Sequence, residues 1–371
     1  MTNTTATSLF EPARIGALDL ANRLVMAPMS RNRARPGGVP TPIMAEYYAQ
    51  RATAGLIVAE ASSPSRVGYT YPDIPGIFDD AQVAGWRRVT GAVAAAGGRM
   101  FLQIEHGGRI GHPDNNGGLV PVAPSPIALP GGIHTPTGHR DAPVPRELTI
   151  ADLHATRDDF TAAARNAIRA GADGVEVHAA NGYLLNQFLA TSTNRRIDAY
   201  GGSVAGRVRF VAEVAEAVAA AVGPERTGLR ISPTNAINGI HMDDPERLFP
   251  ALLDALAPIG LAYLHIAYAE TASPLFADLR RLWPSALIAN PSAGDGRPFH
   301  PDGGLAAAER ALTAGADLVA LGRPFIANPD LAERLRTGAP INPIREDAPL
   351  YGGVDARGYT DYPTLGKVAA Q

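Results

Sequence analysis

Three polar side chains fall within six positions at the end of one apolar run. They are His178, Asn181 and Tyr183 in GVEVHAANGYLLNQF, residues 174–188. An imidazole and a carboxamide can donate hydrogen bonds to a carbonyl or nitro oxygen, and a phenol can deliver a proton. Singly, a His or Tyr in such a run is ordinary packing. Grouped behind Val175 and Val177 they point to a strand that opens on a reaction site, provided the fold gathers its strand ends at one mouth.

The rest of the chain supplies such a fold. Short apolar, β-branched runs occur at 23–30, 55–62, 100–106, 174–180, 227–233, 262–268, 286–291 and 318–323. Helical patterns lie between and after them, at 41–53, 80–96, 150–170, 206–222, 245–257, 276–282, 304–314 and 329–336. Near-continuous apolar strands alternating with helices predict a parallel sheet covered on both faces. Eight units predict an α/β fold closed as one (β/α)8 TIM barrel, whose active sites form at the C-terminal ends of the strands. Thr149 is placed to cap the 150–170 helix, and Gly171 and Gly315 to end theirs.

Polar residues recur at these strand ends: Pro28–Met29–Ser30, Glu60–Ala61, Gln103–Glu105–His106, His178, Arg230 and Gly322–Arg323. In this fold the loops after strands 7 and 8 often hold a phosphate, and Gly322 followed by the Arg323 fork suits a dianion. The Gly-rich loop after strand 7, PSAGDGRPFHPDGG, fits the same purpose. Residues 107–147 form a Pro/Gly-rich excursion after strand 3, expected to lie over the mouth like a lid. Residues 339–371 read as a C-terminal loop segment and tail. The whole chain, 1–371, is expected to be a single domain.

Composition removes other classes. Zero cysteine excludes disulfides, thiolate metal sites, Fe–S clusters and thiol nucleophiles. With 33 basic and 36 acidic residues and no Lys/Arg cluster, neither nucleic acid nor a membrane is an expected partner. The N-terminus lacks an apolar signal region, so a cytoplasmic location is expected. There is no G-x-G-x-x-G after a strand, no H-E-x-x-H and no G-x-S-x-G, hence no Rossmann domain, zinc protease or serine hydrolase signature. Lys367 is the single lysine and lies in the tail, which leaves a Schiff-base barrel aldolase without its nucleophile.

The longer motifs carry a resemblance. NRLVMAPMSRNRA, PTPIMAEYYAQRATAGLIVAEAS, GVEVHAANGYLLNQFLATSTNRRIDAYGGS, GRPFIANPDL and YGG…GYTDYP resemble the Old Yellow Enzymes, the FMN-dependent ene-reductases. The similarity is to the bacterial branch that includes N-ethylmaleimide and pentaerythritol tetranitrate reductases, and it runs from residue 8 to 365. It implies FMN as cofactor and NADPH or NADH as reductant. It also implies an electrophilic alkene as substrate: an α,β-unsaturated carbonyl, maleimide or nitroalkene. Arg230 would lie near flavin N1 and O2, Gln103 at the pyrimidine edge and Ser30 near O4. Pro28, Met29 and Ala61 would line the ring, and Gly322 and Arg323 would hold the phosphate. His178 and Asn181 would bind the electron-withdrawing group. Tyr183 would protonate the α-carbon after hydride transfer from N5 to the β-carbon, and Tyr351 would stand beside the opening. Either a monomer or a homodimer is compatible with the family.

The chain departs from the family pattern at several points. Ser30 replaces the usual Thr and keeps the hydroxyl. Glu105 replaces the usual Trp in QIEHGGR, putting a carboxylate in the substrate pocket. Pro291 falls where a phosphate-binding N–H is expected, and proline has none; Ser292, Ala293 or nearby glycines would have to supply the donors. The donor pair is His/Asn rather than His/His. An alternative to turnover follows from Glu105 and the altered loop: a flavin-binding sensor or store.

Overall fold

The computed structural model describes residues 8–291 and 302–366. Its centre is a closed parallel barrel of eight strands: β1 Leu24–Met26, β2 Leu56–Ser62, β3 Met100–Ile104, β4 Gly174–Ala179, β5 Thr227–Ile231, β6 Tyr263–Ala269, β7 Ala286–Pro291 and β8 Leu318–Leu321. Each strand pairs with its neighbour in sequence, and β4 pairs with β3 while β8 pairs with β1, which closes the ring. The helices around it are α1 Pro42–Ala49, α2 Asp80–Ala95, α3 Ile150–Arg169, α4 Val204–Val222, α5 Pro245–Leu256, α6 Pro274–Leu282, α7 Leu305–Thr313 and α8 Leu331–Thr337. The expected (β/α)8 order therefore holds.

Local chemistry sets the helix boundaries. The Thr149 hydroxyl accepts from the Asp152 amide at 3.2 Å, and the Asp152 carboxylate accepts the Thr149 amide at 2.8 Å, a reciprocal cap at the start of α3. Past its C-terminus, Gly171 takes φ +91°, a left-handed conformation that glycine adopts without a Cβ clash.

Inside the barrel the filling changes from bottom to top. Phe101 and Tyr263 plug the floor with ring centroids 5.6 Å apart. They fit because Gly174 and Gly228 lie beside them: a Cβ at Gly174 would come within 2.4 Å of the Phe101 ring, and one at Gly228 within 2.2 Å of the Tyr263 ring. An N-terminal hairpin, Ala13–Ile15 with Leu18–Leu20, seals this end through Ile15 and Leu20, which join Val25, Val58 and Ile288 in one buried cluster. One rung higher the lining turns polar, with Gln103, Glu176 and His265 all buried. Above that the barrel opens.

The 107–147 excursion is ordered. It contains a short helix, Pro113–Asn116, and a hairpin, Ile133–Thr135 with Gly138–Arg140. Ile110, Leu129 and Ile133 form a small apolar cluster against Tyr71 and Tyr183, so the excursion is fastened to the mouth it was expected to cover. The C-terminal segment is tied down by Arg31, which donates to the carbonyls of Leu350 at 2.8 Å and Gly358 at 2.9 Å.

Candidate active site

The strand ends open into a cavity of about 870 Å³. Every barrel strand contributes to it directly or through the residues that follow it, β2 only in the second way. Twelve of the thirteen expected site residues line it: Pro28, Met29, Ser30, Gln103, Glu105, His178, Asn181, Tyr183, Arg230, Gly322, Arg323 and Tyr351. Ala61 is buried on β2 and is not among the residues that line the cavity, whereas Tyr71 and Pro72 from the loop after that strand are. His106 and Glu60, also strand-end residues, are buried outside the cavity. Glu60 is structural: its carboxylate accepts the Arg31 amide at 3.1 Å and the Tyr48 hydroxyl at 3.1 Å. Of the Gly-rich loop after strand 7, residues 292–301, Ser292 and Ala293 among them, lie outside the described residues. Pro291 itself lines the cavity.

A chain of hydrogen bonds runs up the barrel interior and fixes the tautomer of His178. The hydroxyl of Tyr263 donates to Glu176 Oε2 at 3.1 Å, and His265 Nδ1 lies 2.8 Å from the same oxygen. Gln103 Nε2 donates to Glu176 Oε1 at 2.7 Å and faces His178 Nδ1 at 3.2 Å. Burial alone would push Glu176 upward, but His265, Arg230 and His178 together hold it below the usual carboxylate value. An ionised Glu176 accepts only, so the Gln103 amide nitrogen must face it. That nitrogen then donates to Nδ1, which leaves the proton of neutral His178 on Nε2. Burial, with the Arg230 charge second, lowers His178 to about 3, so the ring stays neutral at working pH. Because the Gln103 donor is already engaged, its Oε1 is what remains for a ligand edge.

Asn181 is held by its backbone. Its N–H donates to Ser232 Oγ at 2.8 Å and its carbonyl accepts from Asn238 Nδ2 at 2.8 Å. Its φ of +58° turns the chain sharply after β4, a conformation asparagine tolerates better than most residues. The side-chain Oδ1 is buried with no partner, so the carboxamide is free to serve a ligand. The Tyr183 ring lies 5.3 Å from that of His178. Burial, then the nearby carboxyl of Glu105 and the hydroxyl of Tyr71, raise the Tyr183 phenol well above its ordinary value, which keeps its proton on.

Arg230 is buried at the cavity wall. One of its terminal nitrogens donates to Asn290 Oδ1 at 2.8 Å, while Nε has no partner. A buried guanidinium whose hydrogen-bonding side-chain partner is a neutral amide calls for an anionic or electron-rich ligand. Sequence reasoning missed several lining residues: Tyr71, His134, Asn290 and Tyr268. Tyr268 takes φ +53°, a strained conformation for a bulky residue, at a register shift between β6 and β7. Its extra position in that strand left no mark in the apolar pattern.

A barrel whose mouth gathers Arg230, a neutral His178, Asn181 and a protonated Tyr183 fits the class that comparison with known proteins shows, a flavin-dependent oxidoreductase. The profile of the NADH:flavin oxidoreductase / NADH oxidase family matches residues 8–342, and the chain belongs to that family, the Old Yellow Enzymes. A probable flavin mononucleotide-dependent alkene reductase of Leishmania infantum is 40% identical over 96% of this chain and 97% of its own length. Among solved structures, the old yellow enzyme homologue of Zymomonas mobilis superposes with a TM-score of 0.90 at 41% identity, covering 97% of this chain and all of that one. Morphinone reductase in complex with tetrahydroNAD gives a TM-score of 0.90 at 42% identity, covering 98% and 99%. The protein is an FMN enzyme that takes NADH or NADPH as reductant. Among the described residues no group of acidic and histidine side chains could hold a metal, and no helix is long and apolar enough to cross a membrane.

Proposed function

We propose that this site reduces activated alkenes: α,β-unsaturated carbonyls, maleimides and nitroalkenes. The observation that carries the reading is the convergence of His178, Asn181 and Tyr183 on one cavity that Arg230 also lines. Ser30, Gln103, Arg230 and the backbone of Pro28 and Met29 would hold the FMN ring, with Gly322 and Arg323 at its phosphate. The unpartnered Arg230 Nε and the free Gln103 Oε1 suit a ring with acceptors at one position and an N–H at another. Bound FMN, once reduced by NADH or NADPH, supplies the hydride that the alkene accepts at its β-carbon.

The chain's own residues do the rest. The Nε2–H of His178 and the carboxamide of Asn181 meet the carbonyl or nitro oxygen, where negative charge develops as the β-carbon is attacked. Donors fixed in place before the reaction stabilise that charge without reorganising. The Glu176–Gln103 relay prevents the His178 ring from taking the tautomer that would present a lone pair instead. Tyr183 then gives its phenolic proton to the α-carbon. Its raised pKa ensures that the proton is present across the physiological range, and the developing carbanion is basic enough to take it.

Stopped-flow reduction of the FMN-loaded enzyme by NADH and by NADPH, followed by reoxidation with 2-cyclohexenone, N-ethylmaleimide and a nitroalkene, tests this. Rapid reoxidation by these alkenes, with saturated products, is expected. Bleaching by nicotinamide without reoxidation by any alkene would contradict it.

A further inference from the structure

Glu105 is unlike the other buried carboxyls of the barrel. It follows β3, is 5% exposed and lines the cavity. Among the described residues its carboxyl has no hydrogen-bond partner, and His178 Nε2 lies 3.5 Å from Oε2. That nitrogen carries a proton, as the Gln103 contact on Nδ1 requires. The imidazole N–H and the carboxyl therefore stand side by side at the cavity wall without a hydrogen bond between them. Donors 3.5 Å apart can both reach a single oxygen at the usual hydrogen-bond length of about 2.8 Å.

We propose that Glu105 is a third hydrogen-bond donor to the substrate oxygen held by His178 and Asn181, a proposal that rests on the alkene-reductase reading of the site. Burial, opposed by the Arg230 charge, raises the carboxyl to about 8, so at neutral pH it carries the proton it would donate. A carboxylic acid kept neutral by its surroundings is a strong donor to a developing oxyanion. The neighbouring ionisable groups come from every wall. His178 is neutral, Tyr183 and Tyr71 are raised by burial, and Arg230 remains a cation. Tyr268, Tyr351, His134, Arg31 and Arg323 complete the ionisable lining. The Arg230 charge beside Glu105 also disfavours the other use of an unpaired carboxyl, capture of a substrate cation.

Binding of 4-methoxybenzaldehyde, a non-titrating acceptor, to oxidised FMN-loaded enzyme tests the idea through the visible flavin band. Wild type is expected to bind it roughly tenfold more weakly at pH 9.5 than at pH 6, the cost of losing one donor and facing a carboxylate. Glu105→Gln, whose amide still donates, should bind at the acid-form strength at both pH values, and Glu105→Leu weakly at both. A pH-independent wild type, or the same pH dependence in Glu105→Gln, would overturn the proposal. So would benzylamine binding that strengthens with pH in wild type but not in Glu105→Gln, because that marks a cation site. His178→Ala should weaken the aldehyde at both pH values. If it does not, the oxygen-binding role of His178 fails as well, whatever Glu105 does.

Discussion

Glu176 and Glu105 lie in the same barrel interior, on β4 and just beyond β3, and both are almost fully buried. Glu176 has three hydrogen-bond partners, Tyr263, His265 and Gln103, with the Arg230 charge nearby, and it is held ionised. Glu105 has a cavity in front of it, no hydrogen bond, and is pushed toward the neutral acid. The same side chain is thus a fixed acceptor in one place and a potential donor in the other. Burial is common to both; the partners decide. A paired buried carboxyl organises what stands above it, whereas an unpaired one is a stability cost that only a ligand can offset.

The contrast can be broken most severely from the Glu176 side. Glu176→Ala strands the Gln103 amide, the Tyr263 hydroxyl and the His265 ring in a dry interior. A loss of about 3–5 kcal/mol in denaturant unfolding is expected. His178 should also lose its preferred tautomer, so alkene reduction in the surviving folded fraction should fall more than flavin reduction does. Unchanged stability would show that Glu176 is replaceable packing.

The next effect is catalytic. His178→Ala removes one donor from the substrate oxygen and should lower the rate of alkene reduction by roughly 10²–10³. Rapid kinetics of reoxidation by 2-cyclohexenone measures it. A change of less than threefold would remove His178 from the oxygen site.

Glu105→Gln should act in the opposite sense on stability. The folded value of Glu105, about 8, is raised above that of an unfolded glutamate. For a raised group the stabilising contribution is complete below the unfolded pKa and is lost as pH rises through the folded one. Wild type should therefore lose stability relative to Glu105→Gln between about pH 4.5 and pH 8, by an amount on the order of a few kcal/mol. Thermal unfolding of both proteins at pH 5 and pH 9 reads the difference. An equal gap at the two values would mean that Glu105 is ionised in the fold or not buried as described.

The smallest effect sharpens the comparison by lying far from it. Thr149→Ala removes the α3 cap on the protein surface and should cost about 1 kcal/mol, with both half-reactions unchanged. A kinetic defect in this variant would mean that stability losses alone disturb the site, and would weaken the reading of the Glu176 variant.

The strand and helix rhythm was legible because each barrel strand is an apolar run bounded by turn residues, and each helix has its own stripe. The main site residues were legible for the same reason: a polar residue just after an apolar run must lie at the mouth of a barrel. What depends on pairing between distant segments was not. Ala61 ends an apolar run too, yet it does not line the cavity, and Tyr71 enters from a loop without periodicity. The hairpin that carries His134 into the cavity has short strands with no clear alternation. The Glu176 relay was hidden because its members are spread over β3, β4 and β6, and only closure of the ring brings Gln103 and His265 to one carboxylate. Glu105 was visible as an exchange of an indole for an acid, but its lack of partners is a fact of three dimensions.

The central claim, that His178 and Asn181 polarise and Tyr183 protonates, is tested most directly by Tyr183→Phe with its two half-reactions measured separately. Flavin reduction by NADPH or NADH should remain within about twofold of wild type, while reoxidation by 2-cyclohexenone should slow by roughly 10²-fold or more, the usual worth of a positioned general acid. Equal slowing of both half-reactions, or no slowing of the second, would contradict the assignment.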